Sequence, residues 1–559
     1  MSRFSCFVAL ILILISLQGT AQGKLKISGG INATAMRYGV SGIEARRDPF
    51  YWLLSGNLTF SYKGISAPFS ATISQQDQSF RYPLPFNQFG ISPTYKFVTL
   101  HLGYRSMQFS EFTYGGNIFL GAGIEVSPEN IPVRVSGFYG RLAKARLEGN
   151  INDLEFGLPS FERWAYGSKV TLVQKKGEVD IISFRAKDDR YSINDSITAE
   201  LGITPSENLV LGLNLKREIL ERVSFSAEYA LSAFTSDIRS PETELRDYKY
   251  AENVGGLFTP RVSSQFNGAY KGELVYSASS FQFGLKYRRI DPEYRTLGSP
   301  FLINDIEDIS GTAGWRMFKR KLSLSTSAGV QRNNLNGDQE SDVRRFIGSL
   351  NSSLSLANGV NVTAGYSNFS TSSTLTQFFQ QSEFDQIDTL LYLQVTNSIN
   401  SSISYNFGSE SIKKSLSLNG SYQNADDNQD NLSVFYNGNV GYTVNYTERN
   451  LNLSTNFNVN SNEVNGVESL SGGPSLMASR LLLEKLLRVS VSSSLIQSYN
   501  QGSLISTNII ARLNGSLKYK QKHVFSMDLS LLRREANVEG VPSFSEFRGG
   551  ITYNFNFSN

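Results

Sequence analysis

One cysteine stands in the 559 residues, Cys6, within the first twenty positions. Beyond it the chain has no thiol, which excludes disulfides and cysteine-based metal or redox sites. Histidine is almost as scarce, with only His101 and His523. They lie far apart in sequence, each inside an alternating pattern, and suit a wall or rim position better than a general base. Charge is low, at 18% Asp, Glu, Lys and Arg, against roughly 25% in ordinary soluble proteins. A net charge of +4 gives no reason to expect a nucleic-acid partner. The chain also lacks a Gly-x-Ser-x-Gly elbow, a His-Glu-x-x-His helix and a phosphate-cradling Gly-rich loop with its lysine. No catalytic, cofactor-binding or metal-binding residue is assigned, and the chain is not read as an enzyme.

Low charge would suggest a greasy chain, yet mean hydropathy is −0.23. The polarity comes from Ser, Asn, Thr and Gln, set beside 37 Phe, 27 Tyr and 47 Gly. A chain that is half apolar and half neutral-polar needs both environments along its length. The N-terminus reads as an export signal: Arg3, an uncharged apolar run over 7–17, then Gln18-Gly19-Thr20-Ala21 with small residues at −3 and −1. Such a run is too short to cross a bilayer as a helix. Residues 1–21 are expected to be removed, leaving 22–559. Cys6 precedes the apolar run, the wrong place for a lipid acceptor.

Period-two alternation begins almost at once. Leu25, Ile27, Gly29, Ile31, Ala33 and Ala35 alternate with Lys26, Ser28, Gly30, Asn32, Thr34 and Met36. Leu451, Leu453, Thr455, Phe457 and Val459 alternate with Asn452, Ser454, Asn456 and Asn458. Each ribbon has one apolar and one neutral-polar face. Many exceed the five or six residues of soluble strands and reach the roughly 9–11 that cross a membrane. Tight turns such as Lys63-Gly64 and Lys175-Lys176-Gly177 alternate with long polar connections at 75–93, 237–265, 293–305, 369–388 and 423–431. The pattern predicts an all-β fold, a single large transmembrane antiparallel β-barrel of about 24–26 strands. Because ribbons start near residue 25, no separate plug domain is expected. At the other end Ile551, Tyr553, Phe555 and Phe557 alternate with Thr552, Asn554 and Asn556. Joining this strand to the first ribbon removes both exposed edges.

The least generic stretch is 48–145. It holds Pro83-Leu84-Pro85-Phe86, Gly103-Tyr104-Arg105-Ser106, Phe109-Ser110-Glu111-Phe112-Thr113-Tyr114-Gly115-Gly116 and Tyr139-Gly140-Arg141-Leu142. Two readings stand: an aromatic girdle with short strands, which is preferred, or an insert constricting the lumen through Arg105, Glu111 and Arg141. A second unusual stretch, 287–298, reads as a structured loop, since Asp291-Pro292 and Leu297-Gly298 are turn formers. Basic clusters at Arg316, Lys319, Arg320 and Lys321, at Arg344-Arg345 and at Arg533-Arg534 are read as rim charge rather than an electropositive lumen.

The Ala21-Gln22 context, the Tyr- and Asn-rich ribbons and the Tyr553-Asn554-Phe555 ending resemble outer-membrane barrels of the Bacteroidota. The 48–145 and 287–298 stretches are similar to an uncharacterised, porin-like barrel group of those bacteria. Ser558 and Asn559 after the last aromatic depart from the usual closing strand. The resemblance implies the outer membrane as location, its lipid as surroundings, and the barrel-assembly machinery as a partner through the C-terminal strand. It also implies short Asp-Ser/Thr-apolar glycosylation motifs at Asp195-Ser196-Ile197 and Asp388-Thr389-Leu390. The expected function is a transport conduit, either a pore or an export channel. The alternatives are an accessory barrel docking secretion or gliding proteins and, last, a barrel hydrolase using His101 or His523.

Overall fold

The computed structural model describes residues 25–75, 88–146, 160–194, 202–243, 257–337, 344–356, 358–368, 395–426, 432–520 and 522–557. The proposed signal, Pro83-Leu84-Pro85-Phe86 and both glycosylation motifs lie outside them. The alternating ribbons form one continuous antiparallel sheet of 27 strands. Gln88–Ile91 and Thr94–Tyr95 both lie between Ile65–Ser74 and Val98–Ser106. They are one stave interrupted at Ser92 and Pro93, where proline has no N–H for the ladder, so the wall has 26 staves.

The first strand, Lys26–Ser41, pairs with the last, Phe544–Phe557, from Gly29 opposite Phe557 to Ser41 opposite Ser545. This seam closes the sheet, so no backbone edge remains at the ends of the wall. Both described ends of the chain therefore start from one rim. Short turns at 63–64, 175–176, 221–222 and 483–486 share that rim, and the longer connections 107–117, 236–263 and 291–305 leave the opposite one. Turn geometry follows composition: Lys63 and Gly64 both take positive φ, at 46° and 84°, the mirror-type turn that suits a two-residue hairpin.

Cross-strand register carries one face around the barrel. Asn419, Asn439 and Asn458 are mutual partners on one face, and Leu418, Val440 and Phe457 on the other. The apolar side chains stand exposed on stave after stave, among them Leu213, Tyr229, Phe283, Ile309, Val330, Leu418, Phe457, Leu476 and Ile551. Such an encircling apolar band is the lipid-facing surface of a transmembrane barrel. The strand Ile412–Asp426 runs further than the sequence suggests, with Gln423 paired opposite Ser398 and Phe435. The long connection read at 423–431 is therefore partly wall. Gln423 points inward, where a polar residue belongs, so it gives no turn signal.

Candidate functional site

Two connections turn back from the long-loop rim into the lumen. Segment 107–117 follows Val98–Ser106, and segment 291–305 follows Phe281–Ile290. Met107, Phe109, Phe112 and Tyr114 from the first, and Tyr294 from the second, join one buried cluster with inward wall residues such as Phe119, Phe138, Ile182, Phe184, Val210 and Ile306. Phe112 and Tyr114 have no exposed surface. The Tyr114 ring lies 4.5 Å from Phe138 and stacks on Phe184 at 5.4 Å. This corrects the preferred reading of the 48–145 stretch: its aromatics at 109–114 form an internal core. Tyr139 and Trp164, by contrast, face outward and stack at 5.3 Å.

The wall is shaped to receive these knobs. A Cβ on Gly167 would stand 2.7 Å from both the Phe109 and Phe138 rings, and one on Gly212 would stand 2.6 Å from Thr113 Cγ2. Close packing makes each such vacancy specific to its knob. The two segments also satisfy each other's backbone, as irregular chain away from water requires. Tyr294 Oη donates to Phe112 O at 2.7 Å and Thr296 Oγ1 to Thr113 O at 2.7 Å. Gly115 N–H donates to Gly298 O at 3.0 Å, and the Asn117 amide donates to the same oxygen at 3.0 Å. Gly298 passes so close that a Cβ there would sit 2.3 Å from Thr113 O. Asn208, wholly buried in the wall, accepts from Leu297 N–H at 3.1 Å and donates to Ser232 Oγ at 2.8 Å and Ala233 O at 3.0 Å.

An ionic clamp fixes the tip of the first segment. Lys271 Nζ lies 2.8 Å from Glu111 Oε2 and 2.9 Å from Glu228 Oε2, and 5.0 Å above the Phe112 ring. Glu228 also accepts the Phe112 N–H at 3.2 Å. Arg288 is 2.7 Å from Asp308 and 3.9 Å from Glu111. Partial burial pushes the Glu111 carboxyl up, but the Lys271 hydrogen bond and the Lys271 and Arg288 charges outweigh it, holding the group below the usual carboxylate value. Burial pushes the Tyr114 and Tyr294 phenols up, so Tyr294 stays protonated as the donor its bond requires. Each of the three carboxylates is ion-paired, Glu111 and Glu228 to Lys271 and Asp308 to Arg288, which makes a lock rather than a reactive centre.

The three residues expected at a constriction are not brought together. Glu111 is in the lumen, paired with Lys271. Arg105 points inward but crosses its neighbouring stave, donating to Ser70 Oγ at 2.7 Å and Pro68 O at 3.2 Å. Arg141 shares the outward face of Tyr139 and pairs with Glu162 at 3.2 Å. Lys271, Glu228 and Asp308 escaped sequence reasoning because each is an ordinary charge within a strand; Arg288 fell in the stretch read as a loop, whose first part, 287–290, is the end of the strand Phe281–Ile290. The signal available was the run of inward glycines opposite a segment without alternation.

Both histidines lie in strands, Val98–Ser106 and His523–Ala536. His523 Nδ1 bonds Tyr553 Oη at 2.8 Å within an outward aromatic group. His101 faces the lumen, with Nδ1 3.0 Å from Ser92 Oγ and Nε2 3.7 Å from Glu125. The carboxylate stands beyond hydrogen-bond range, so it does not orient the ring as a general base requires. Among the described residues no group of three His, Cys, Asp or Glu is placed to hold a metal.

Across the barrel the lumen changes character. Inward positions from Val395–Gly408 to Leu487–Asn500 are mostly Ser and Asn, with Thr443, Gln423, Phe435, Met477 and Ile496 among the others. The described charges on this face are Lys413 and Arg488, each one residue inside its strand end at the short-turn rim. Asn419 donates to Asn439 at 3.1 Å, Asn439 to Asn458 at 2.5 Å, and Asn437 to Ser421 at 3.0 Å.

No family model matches the chain, and no curated protein matches it. Solved outer-membrane barrels are similar at low scores. The ferric enterobactin receptor of Pseudomonas aeruginosa matches with a TM-score of 0.41 and 10% identity over 96% of this chain and 81% of the other. The P pilus usher translocation pore matches at 0.31 and 11%, over 95% and 100%. An Acinetobacter baumannii barrel, OccAB2, matches at 0.29 and 8%, over 64% and 93%. At these scores no cargo or mechanism is carried across.

Proposed function

We propose that the protein is an outer-membrane transport conduit whose lumen is narrowed on one side by its own in-folded segments. The observation that carries this is the asymmetric interior. One arc is filled by the core around Phe112, Tyr114 and Tyr294; the other keeps a polar, solvated face. A barrel that served only as a wall would not need half its interior lined with neutral hydrogen-bonding side chains. The apolar outer band and the aromatic closing strand support insertion in the outer membrane after export, with the barrel-assembly machinery as the partner of the Ile551-to-Phe557 pattern.

Refolded protein in a planar lipid bilayer tests the reading. A stable open-channel current is expected, and Phe112→Ala is expected to raise it by releasing the in-folded segment. The in-folded segments themselves favour a second reading, a sealed accessory barrel whose long-loop rim docks secretion-apparatus proteins. Absence of current from both the parent and Phe112→Ala would favour it.

A further inference from the structure

Resting on the conduit reading, we propose that the serine- and asparagine-lined arc of the lumen is a track for a neutral, hydroxyl-rich chain, an uncharged glycan. The arc is continuous: two adjoining cavities along it share Asn437, Asn456, Asn458, Asn460 and Ser475. Register places these side chains in rows that cross the staves. Asn400, Ser421, Asn437, Asn460 and Ser471 form one row, and Ser402, Asn419, Asn439 and Asn458 form the next.

The chemistry of the rows selects the occupant. A primary amide carries two N–H donors and a carbonyl acceptor, and a serine hydroxyl both donates and accepts. Sugar hydroxyls also donate and accept, so each row can trade one sugar contact for an equivalent one on the next. The amide ladder takes up part of each side chain's capacity, which leaves binding shallow and repeated, the condition for a chain to move through rather than lodge. A polypeptide would bring charged side chains past a face whose charges, Lys413 and Arg488, stand only at the short-turn rim. Apolar side chains would find sockets only at the edge of the first cavity, around Phe435, Met477, Ile496 and Ile510, and none along the rows of asparagine and serine. An anionic polymer would meet one cation at the edge of the first cavity, Arg512, and no cationic rail along the rows.

The test uses full-length refolded barrel with three probes: maltohexaose, an uncharged Gly/Ser peptide of similar length, and an oligogalacturonate of similar length. Two readouts run in parallel. One is interruption of single-channel current; the other is saturation-transfer NMR on detergent-solubilised protein. Maltohexaose is expected to interrupt the current and receive saturation, and the doubly substituted Asn456→Leu/Asn458→Leu barrel to need at least about tenfold more sugar. A heat-modifiability gel confirms that this variant is folded, and Ser475→Leu supplies an independent substitution on the same track. Stable current with neither interruption nor saturation by maltohexaose overturns the glycan inference and leaves the conduit standing. Equal or stronger interruption by the peptide or the oligogalacturonate overturns it in favour of those polymers. Saturation without any current keeps the track and overturns the conduit. Folded variants that bind like the parent remove the track from this arc.

Discussion

The wall from Val98–Ser106 to Ile306–Met317 and the wall from Val395–Gly408 to Leu487–Asn500 are alike outside and opposed inside. Both present Leu, Ile, Val, Phe and Tyr outward, as in Leu213 and Ile309 on the first arc and Leu418 and Phe457 on the second. Inward, the first arc carries Asp180, Glu228, Lys271, Arg288 and Asp308 around a hydrophobic core, while the second carries rows of serine and asparagine. Lipid makes one demand of every stave and so fixes the outer face. The inner face answers only to what fills the lumen, and each arc answers differently. In this barrel the functional information therefore lies at inward positions, which mean hydropathy averages away.

The sharpest way to break the contrast is to empty the core of the packed arc. Phe112→Ala is expected to cost about 3–5 kcal/mol of local docking, the usual range for a fully buried aromatic. Hydrogen exchange at 107–117 should become fast while the wall stays protected. Lys271→Met is next, because it removes the cation paired with the buried Glu228 and leaves Glu111 only the more distant Arg288. About 3 kcal/mol is expected from breaking such a pair one-sidedly, read as protease sensitivity of the same segment. Tyr294→Phe removes only the donor to Phe112 O and should cost about 1–2 kcal/mol, with the barrel's gel mobility unchanged.

Acid gives a graded version. The Glu111 carboxyl titrates below the ordinary value of 4.5 in the folded protein. Its stabilisation is therefore complete above that value and is lost as pH falls through the lower, folded one. Exchange at 107–117 should rise in that acid window and not at neutral pH, and Glu111→Gln should flatten the dependence. The smallest effect belongs to the other arc. Asn458→Ala, on the solvated face, should move stability by no more than about 0.5 kcal/mol and leave exchange at 107–117 untouched.

The wall was legible from the residues because alternation states which side each residue faces. Leu451 through Val459 read as one ribbon and fold as one, and the Tyr553-Phe555 ending lies in the seam it was expected to close. Phe109, Phe112 and Tyr114 were harder, since an aromatic suits lipid, an interface or a core equally well. Only a partner decides, and that of Phe112 is remote: it meets Tyr294 across 182 positions. The same distance hid the clamp. Glu111 was singled out, but its cation is Lys271, 160 positions away, and Arg105 and Arg141 looked closer only because the chain was read in order.

That separation also sets a sequence in time. Segment 107–117 cannot dock until Lys271, Arg288 and the chain through Gly298 have arrived, whichever end of the wall is laid down first. Contacts so far apart close late, because the intervening chain must be ordered before they form. The filled arc is therefore expected to pass through a wide-bored stage, its staves paired before the in-folded segments dock. A defect at Gly298 or Tyr294 would then show itself as a barrel that inserts on schedule and never finishes closing.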